Sequence, residues 1–149
     1  MKSRFLVGLH TGGAYPGLLA QALPHVDWVG LDIKSLPGDY DLVTGRPNSA
    51  DLAWRSLELV LGNRLLREGS DRPLEVEVRT TVHPAAIDDA GLRELGCALA
   101  DAGVDCWAVQ RFRETGARTP LPRVGADATA SPLRLDDLPT ARFASLVIR

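Results

Sequence analysis

The sequence predicts an α/β fold with a parallel sheet and helices outside it, and three observations carry that expectation. Short apolar runs alternate with stretches of helical periodicity, the runs turn polar only at their C-terminal ends, and a strand–helix–strand unit fits within the first 34 residues. Strands covered on both faces read as continuous apolar runs, and alternating β and α elements build parallel sheets. Crossovers of one hand then curl such a sheet toward a barrel or part of one.

Phe5-Leu6-Val7-Gly8-Leu9, stopped by Thr11-Gly12-Gly13, reads as a first strand buried on both faces. A helix over Tyr15 to Leu23 carries Pro16 in its first turn, where the missing N–H costs nothing, and Pro24 helps to end it. Asp27 to Lys34 is the second buried strand. Ser35 to Pro47, rich in Gly, Pro and Asp, reads as a loop. Asn48 or Ser49 then caps a helix whose apolar positions Leu52, Ala53, Leu57, Val60 and Leu61 share one face. Leu74 to Val82 has strand periodicity, Ile87 to Ala102 helical periodicity, and Cys106 to Gln110 is a strand after the turn at Gly103. Arg111 to Pro132 holds five Gly or Pro residues and no clear period, so a long loop is expected. Leu135 to Arg149 supplies a short helix and a last strand ending Leu146-Val147-Ile148.

The composition suits one soluble globular domain: 149 residues, 45% hydrophobic and 24% charged. Seventeen Lys and Arg against 19 acids give a net charge of −2, so no general field would attract nucleic acid or an anionic membrane. No apolar run approaches the roughly 18 residues that span a bilayer. Met1-Lys2-Ser3-Arg4 leads directly into a strand, unlike a signal peptide, and a cytoplasmic location is the expectation. Two cysteines, Cys97 and Cys106, are too few for a disulfide framework and match no zinc or redox spacing. An iron–sulfur cluster is held by three or four thiolates, more than this chain has.

Ligands of parallel α/β sheets sit at the carboxyl ends of the strands, which makes the polar residues there the candidates. Asp32 and Lys34, two apart on one strand, project to one face, as a rim ion pair or as a pair of opposite charges for a ligand. Thr11-Gly12-Gly13 offers backbone N–H groups to a polar ligand, although a plain β-to-α turn needs the same glycines. Arg79, within an alternating strand, needs a carboxylate, from Asp32 across the strands or from a ligand. His10, Asp32 and His83 together could hold a divalent metal, as in a metal-dependent barrel hydrolase. His25 falls in a turn. Trp28, Trp54 and Trp107 fit packing roles.

Taken in order, the segments resemble a known family. His10-Thr11-Gly12-Gly13-Ala14-Tyr15-Pro16, Val26 to Lys34 with its vD-x-v-x-lD-x-K pattern, Tyr40 to Gly45 ending Leu42-Val43-Thr44-Gly45, Glu77 to Val82 and Val109 to Arg113 are similar to successive segments of the radical S-adenosylmethionine (SAM) activating proteins of anaerobic ribonucleoside-triphosphate reductase and, more broadly, of glycyl-radical enzymes. The likeness runs from residue 5 to about 115.

It implies a partial (β/α) barrel of which this chain is the C-terminal half: a single domain over 1–149, with β/α units about 4–115 and a loop and final helix–strand over 116–149. It also implies SAM as cofactor, with Thr11, Gly12, Asp32 and Lys34 lining its pocket, Arg79 at the nucleoside or methionyl end, and Gln110 to Arg113 as the far wall. His10 departs from the acid found there in the formate-lyase branch. In that family a four-iron four-sulfur cluster cleaves SAM to a 5′-deoxyadenosyl radical, which abstracts hydrogen from a glycine of the partner enzyme. The C-x3-C-x2-C and Gly-Gly-Glu motifs of the family are not in this sequence. The resemblance therefore implies a truncated chain without cluster ligands, or a non-catalytic half-barrel module that completes a split enzyme with a separate N-terminal half.

Overall fold

The computed structural model describes residues 4–83, 86–113 and 134–149. Among these described residues five strands, β1 (Gly8–Thr11), β2 (Trp28–Asp32), β3 (Glu75–Val82), β4 (Cys106–Arg111) and β5 (Ser145–Ile148), form one all-parallel sheet in sequence order. Between them lie α1 (Pro16–Ala22), α2 (Pro37–Thr44), α3 (Ser49–Leu66) and α4 (Asp89–Asp101). The architecture is α/β, and the sheet is open rather than closed into a barrel.

The helices lie against one face. Leu31, Val78 and Trp107 stand in one register row; Leu31 meets Ser56 of α3 around Gly13, and Trp107 lies directly beneath Gly96 of α4. Val29, Leu31, Ile33, Val78 and Val109 are fully buried there, with Leu57 and Val60 from α3 and Leu92, Leu95 and Leu99 from α4. Burying a large aliphatic side chain contributes roughly 1.5–3 kcal/mol, so this seam is the main source of stability.

The opposite face carries the polar residues; the middles of β2 and β4 are buried on both sides as expected, whereas β1 is not, which corrects the expectation for the first strand. His10, Asp32, Glu77, Arg79 and Gln110 fall on that opposite face by register and alternation, and none of them is fully buried. Asp32 and Lys34 turn polar because they face away from the helices. The first strand is also shorter and wetter than its sequence suggests. It begins at Gly8, and Phe5 and Leu6 are 89% and 79% exposed because they lie outside the sheet's paired register.

Three further expectations are corrected. The Gly/Pro-rich stretch after β2 contains α2, with Pro37 in its first turn and Gly45 in the left-handed conformation at its end, the usual proline-in, glycine-out asymmetry of a short helix. Neither Asn48 nor Ser49 caps α3 with its own side chain; the Asp41 carboxylate of α2 accepts from the N–H groups of Asn48 and Ser49, both at 3.0 Å. Leu52 is half exposed, while Ala50 and Ser56 take places on the buried face. In the last segment the expected short helix is a single 3-10 turn, Thr140–Arg142. The expected long loop falls almost wholly on 114–133, outside the described residues.

At the amino ends of the strands, Asp27 is the hub of a polar cluster. Its carboxylate accepts from Val7 N at 3.0 Å, from Arg4 at 2.7 Å and from Arg72 at 2.9 Å. The Val7 N–H first, and then Arg72, hold its carboxyl down to about 2. A carboxyl whose pKa is lower folded than unfolded contributes stability that is present above the ordinary value near 3.8 and disappears as pH falls through about 2. Asp27→Asn is therefore expected to lower the melting temperature at neutral pH and to approach the parent chain as both are titrated from pH 4 to pH 2. Melting curves that stay parallel over that range would show that Asp27 is not the linked group.

Candidate functional site at the strand ends

A cavity of about 580 Å³ opens at the carboxyl ends of the strands. Its wall takes Gly12, Ala14 and Tyr15 from the turn after β1, Lys34 from beyond β2, and Thr81, His83, Ala86 and Ile87 from the end of β3 and beyond. Phe112 follows β4, and Tyr40, Val43, Thr44, Arg46, Pro47, Ser49 and Leu52 come from α2, the following turn and the start of α3. The volume lies within the roughly 300–1,000 Å³ of small-molecule sites.

The turn after β1 is built around Gly13. Its φ is 71°, and an added Cβ would lie 2.9 Å from Ser56 Cβ, so a side chain is excluded by both conformation and space. The Ser56 hydroxyl donates to Gly13 O at 2.8 Å, and Gly13 N donates to the Thr11 hydroxyl at 3.1 Å. Thr11 thus holds the turn from the helix side, and Gly12 presents its backbone to the cavity.

Beyond β2, the Tyr40 hydroxyl donates to Asp32 O at 3.4 Å and accepts from Lys34 N at 3.3 Å. Burial, helped by the nearby Asp32 charge and opposed by the Lys34 N–H, pushes the phenol up to about 12, so it remains a neutral donor. This clamp fixes the backbone that displays Asp32 and Lys34, whose side chains meet at 3.4 Å and are each more than a third exposed. An exposed pair of this kind contributes about 0–1 kcal/mol, which leaves both charges available to a ligand.

Arg79 does not pair with Asp32, although the two are register partners. Its Nε donates to Glu77 Oε1 at 2.7 Å, Nη1 donates to His10 Nδ1 at 3.1 Å, and the guanidinium lies over the Trp28 ring at 5.6 Å. Arg149 grips both oxygens of Glu77 at 3.1 Å. Burial pushes the Glu77 carboxyl up, but the hydrogen bonds from Arg79 and Arg149 outweigh it and hold it below its ordinary value. An arginine has only donors, so His10 Nδ1 accepts and a neutral ring carries its proton on Nε2.

Of the residues singled out from sequence, Gly12 and Lys34 line the cavity and Asp32 touches Lys34. Thr11 serves the turn, while Arg79 and Gln110 lie on the polar sheet face, off the cavity wall. Reasoning from sequence missed Tyr40, Arg46, Leu52 and Ile87 as wall residues, whereas Phe112 falls within the Gln110 to Arg113 segment expected as the far wall. The Pro37-to-Gly45 bracket was the one signal for the α2 wall.

The metal triad is not assembled. His10 is engaged by Arg79 and edge-on to Trp28, His83 stacks edge-on to Phe112, and among the described residues no group of three His, Cys, Asp or Glu could hold a metal ion. Iron–sulfur ligation does not fit the described residues either. Cys97 lies within α4 and Cys106 opens β4 at its amino end, and burial first, then the Asp105 charge, pushes the Cys106 thiol up, away from the thiolate a cluster needs. Compared with known proteins, the chain matches no family model, no curated protein and no solved structure.

Proposed function

We propose that the chain is the SAM-binding portion of a radical SAM activating protein for a glycyl-radical enzyme of the anaerobic ribonucleotide reductase type. In this reading its open sheet is part of a (β/α) barrel. The observation that carries the reading is the cavity formed by four consecutive strand ends of a parallel sheet in sequence order, with Gly12 and Lys34 on its wall and Asp32 beside them. Ligands of barrel-like sheets are held there.

The reaction of the family needs a cluster to split SAM, and the described residues do not fit one. The work assigned to this chain is binding and orientation. Gly12 lets the ligand approach the backbone, Lys34 meets a carboxylate, Asp32 meets an ammonium, and Tyr15 and Phe112 offer apolar walls that exclude water from the adenosyl group. The Tyr40 clamp sets the spacing of the two charges.

Calorimetric titration of the chain with SAM tests the reading. Saturable binding is expected, and Asp32→Asn is expected to weaken it about tenfold or more, equivalent to about 1.4 kcal/mol or more. Absence of binding at millimolar SAM would sink the proposal. Asp32→Asn leaving the affinity unchanged while lowering the melting temperature would make the Asp32–Lys34 pair structural and remove this site.

A further inference from the structure

We infer that the turn between α2 and α3 adds an anion-recognition point to the strand-end cavity, with Arg46 as the residue that, together with Lys34, takes a terminal oxyanion of the ligand. Among the described residues, Lys34 and Arg46 are the full cations on the cavity wall and no carboxylate lines it. Eight other arginines lie against carboxylates, whereas the Arg46 guanidinium makes no ion pair or hydrogen bond among the described residues.

Two carboxylates close to this part of the wall are already engaged. Asp41 accepts from the N–H groups of Asn48 and Ser49 and from the Ser49 hydroxyl at 2.9 Å, and Asp32 lies at 3.4 Å from Lys34. Those bonds to Asp41 also hold Asn48 at a φ of 60°, while Gly45 at 67° closes α2. The turn that carries Arg46 is therefore fixed at both ends. At the amino end of α3 Asp41 accepts from the N–H groups of Asn48, Ser49 and Ala50, so in this turn the guanidinium rather than the helix end is the group that meets an anion.

The rest of the wall selects what is attached to that oxyanion. Tyr15, Leu52, Ile87 and Phe112 give it an apolar surface suited to a flat ring. The ligand class is an adenosyl compound ending in an oxyanion, either the methionyl carboxylate of SAM or a 5′-phosphate, and guanidinium recognises both in the same forked geometry. This inference rests on the cavity being the adenosyl site proposed above.

The test titrates the chain with adenosine, adenosine 5′-monophosphate, SAM and decarboxylated SAM, comparing the parent with Arg46→Gln and with Arg55→Gln, a change at an arginine on α3 that is not part of the cavity wall. Each compound bearing an oxyanion is expected to bind at least tenfold tighter than its counterpart without one, with Arg46→Gln reducing that preference to the part Lys34 supplies and Arg55→Gln preserving it in full. Equal binding of the paired compounds, or equal effects of the two substitutions, overturns the inference. Preference for the monophosphate that depends on Arg46, with no binding of SAM, supports the anion point and sinks the SAM reading. SAM binding that ignores Arg46 and the carboxylate does the reverse, and no binding by any of the four sinks both.

Discussion

Trp107→Ala is expected to cost about 3–5 kcal/mol of unfolding free energy, the range for deleting a fully buried large aromatic. Trp107 is 1% exposed and fills the seam between β4 and α4, where an added Cβ on Gly96 would come within 2.7 Å of its ring. Phe143 packs on the other side with ring centroids 5.3 Å apart. The indole N–H donates to the Thr80 hydroxyl at 3.0 Å, and that hydroxyl donates to Ile33 O at 2.8 Å, so one chain of bonds ties β4 through β3 to the residue just past β2. For a chain of this size each kcal/mol moves the melting temperature by roughly 2–4 °C, so calorimetry should record a drop of roughly 6–20 °C. Trp107→Phe keeps most of the volume and loses the hydrogen bond, so a smaller loss is expected. A cost below about 1.5 kcal/mol for the alanine variant would mean that the seam closes over the gap, contrary to the usual partial relaxation of a packed core.

The second large effect is expected at Arg67, where alanine should cost about 2–4 kcal/mol through lost charge-assisted hydrogen bonds. Arg67 follows α3 directly and is largely buried. Its guanidinium donates to Leu23 O at 3.1 Å, Val26 O at 2.8 Å and Arg72 O at 2.6 Å, and Nη2 lies 3.9 Å from Asp27 without a hydrogen bond. One planar fork thus pins the segment entering β2 to the segment entering β3. Lysine cannot reproduce the fork, so Arg67→Lys should recover little of the loss. Denaturant unfolding of the two variants checks this. Full recovery by lysine would show that only the charge matters.

The elements legible in the sequence were those whose patterning answers to a single neighbour. Val29, Leu31 and Ile33 are fully buried as the apolar run implied, and Leu92, Leu95 and Leu99 point inward as their spacing required. The fate of Phe5 and Leu6 was not legible. An apolar run does not say whether anything covers it, and these residues lie outside the sheet's paired register. The helix α2 was hidden because its proline and glycine are also turn signals, and only the length between them marks a helix.

The candidate site divides the same way. Gly12 and Lys34 were found because strand ends can be located from local pattern. Arg46 and Leu52 reach the same cavity through the packing of α2 and α3 across those ends, a long-range outcome that no local spacing encodes. Arg79 shows the converse: its need for a carboxylate was legible, but Glu77, two residues earlier on the same strand, satisfies it.

The sequential strand order also bears on how the chain assembles during synthesis. Every pairing joins a strand to the one made just before it, from Gly8 with Trp28 to Cys106 with Ser145, and the widest step is that between Trp28 and Glu75. Loop-closure entropy grows only slowly with length, so each step carries a similar and modest entropic cost. No strand has to wait for a distant partner, as it would in a sheet whose central strand is made last. Domains emerge from the ribosome amino end first, and this topology lets the growing sheet add β2, β3, β4 and β5 in turn to an edge that is already in place. The edge that each new strand joins is therefore always the strand made just before it.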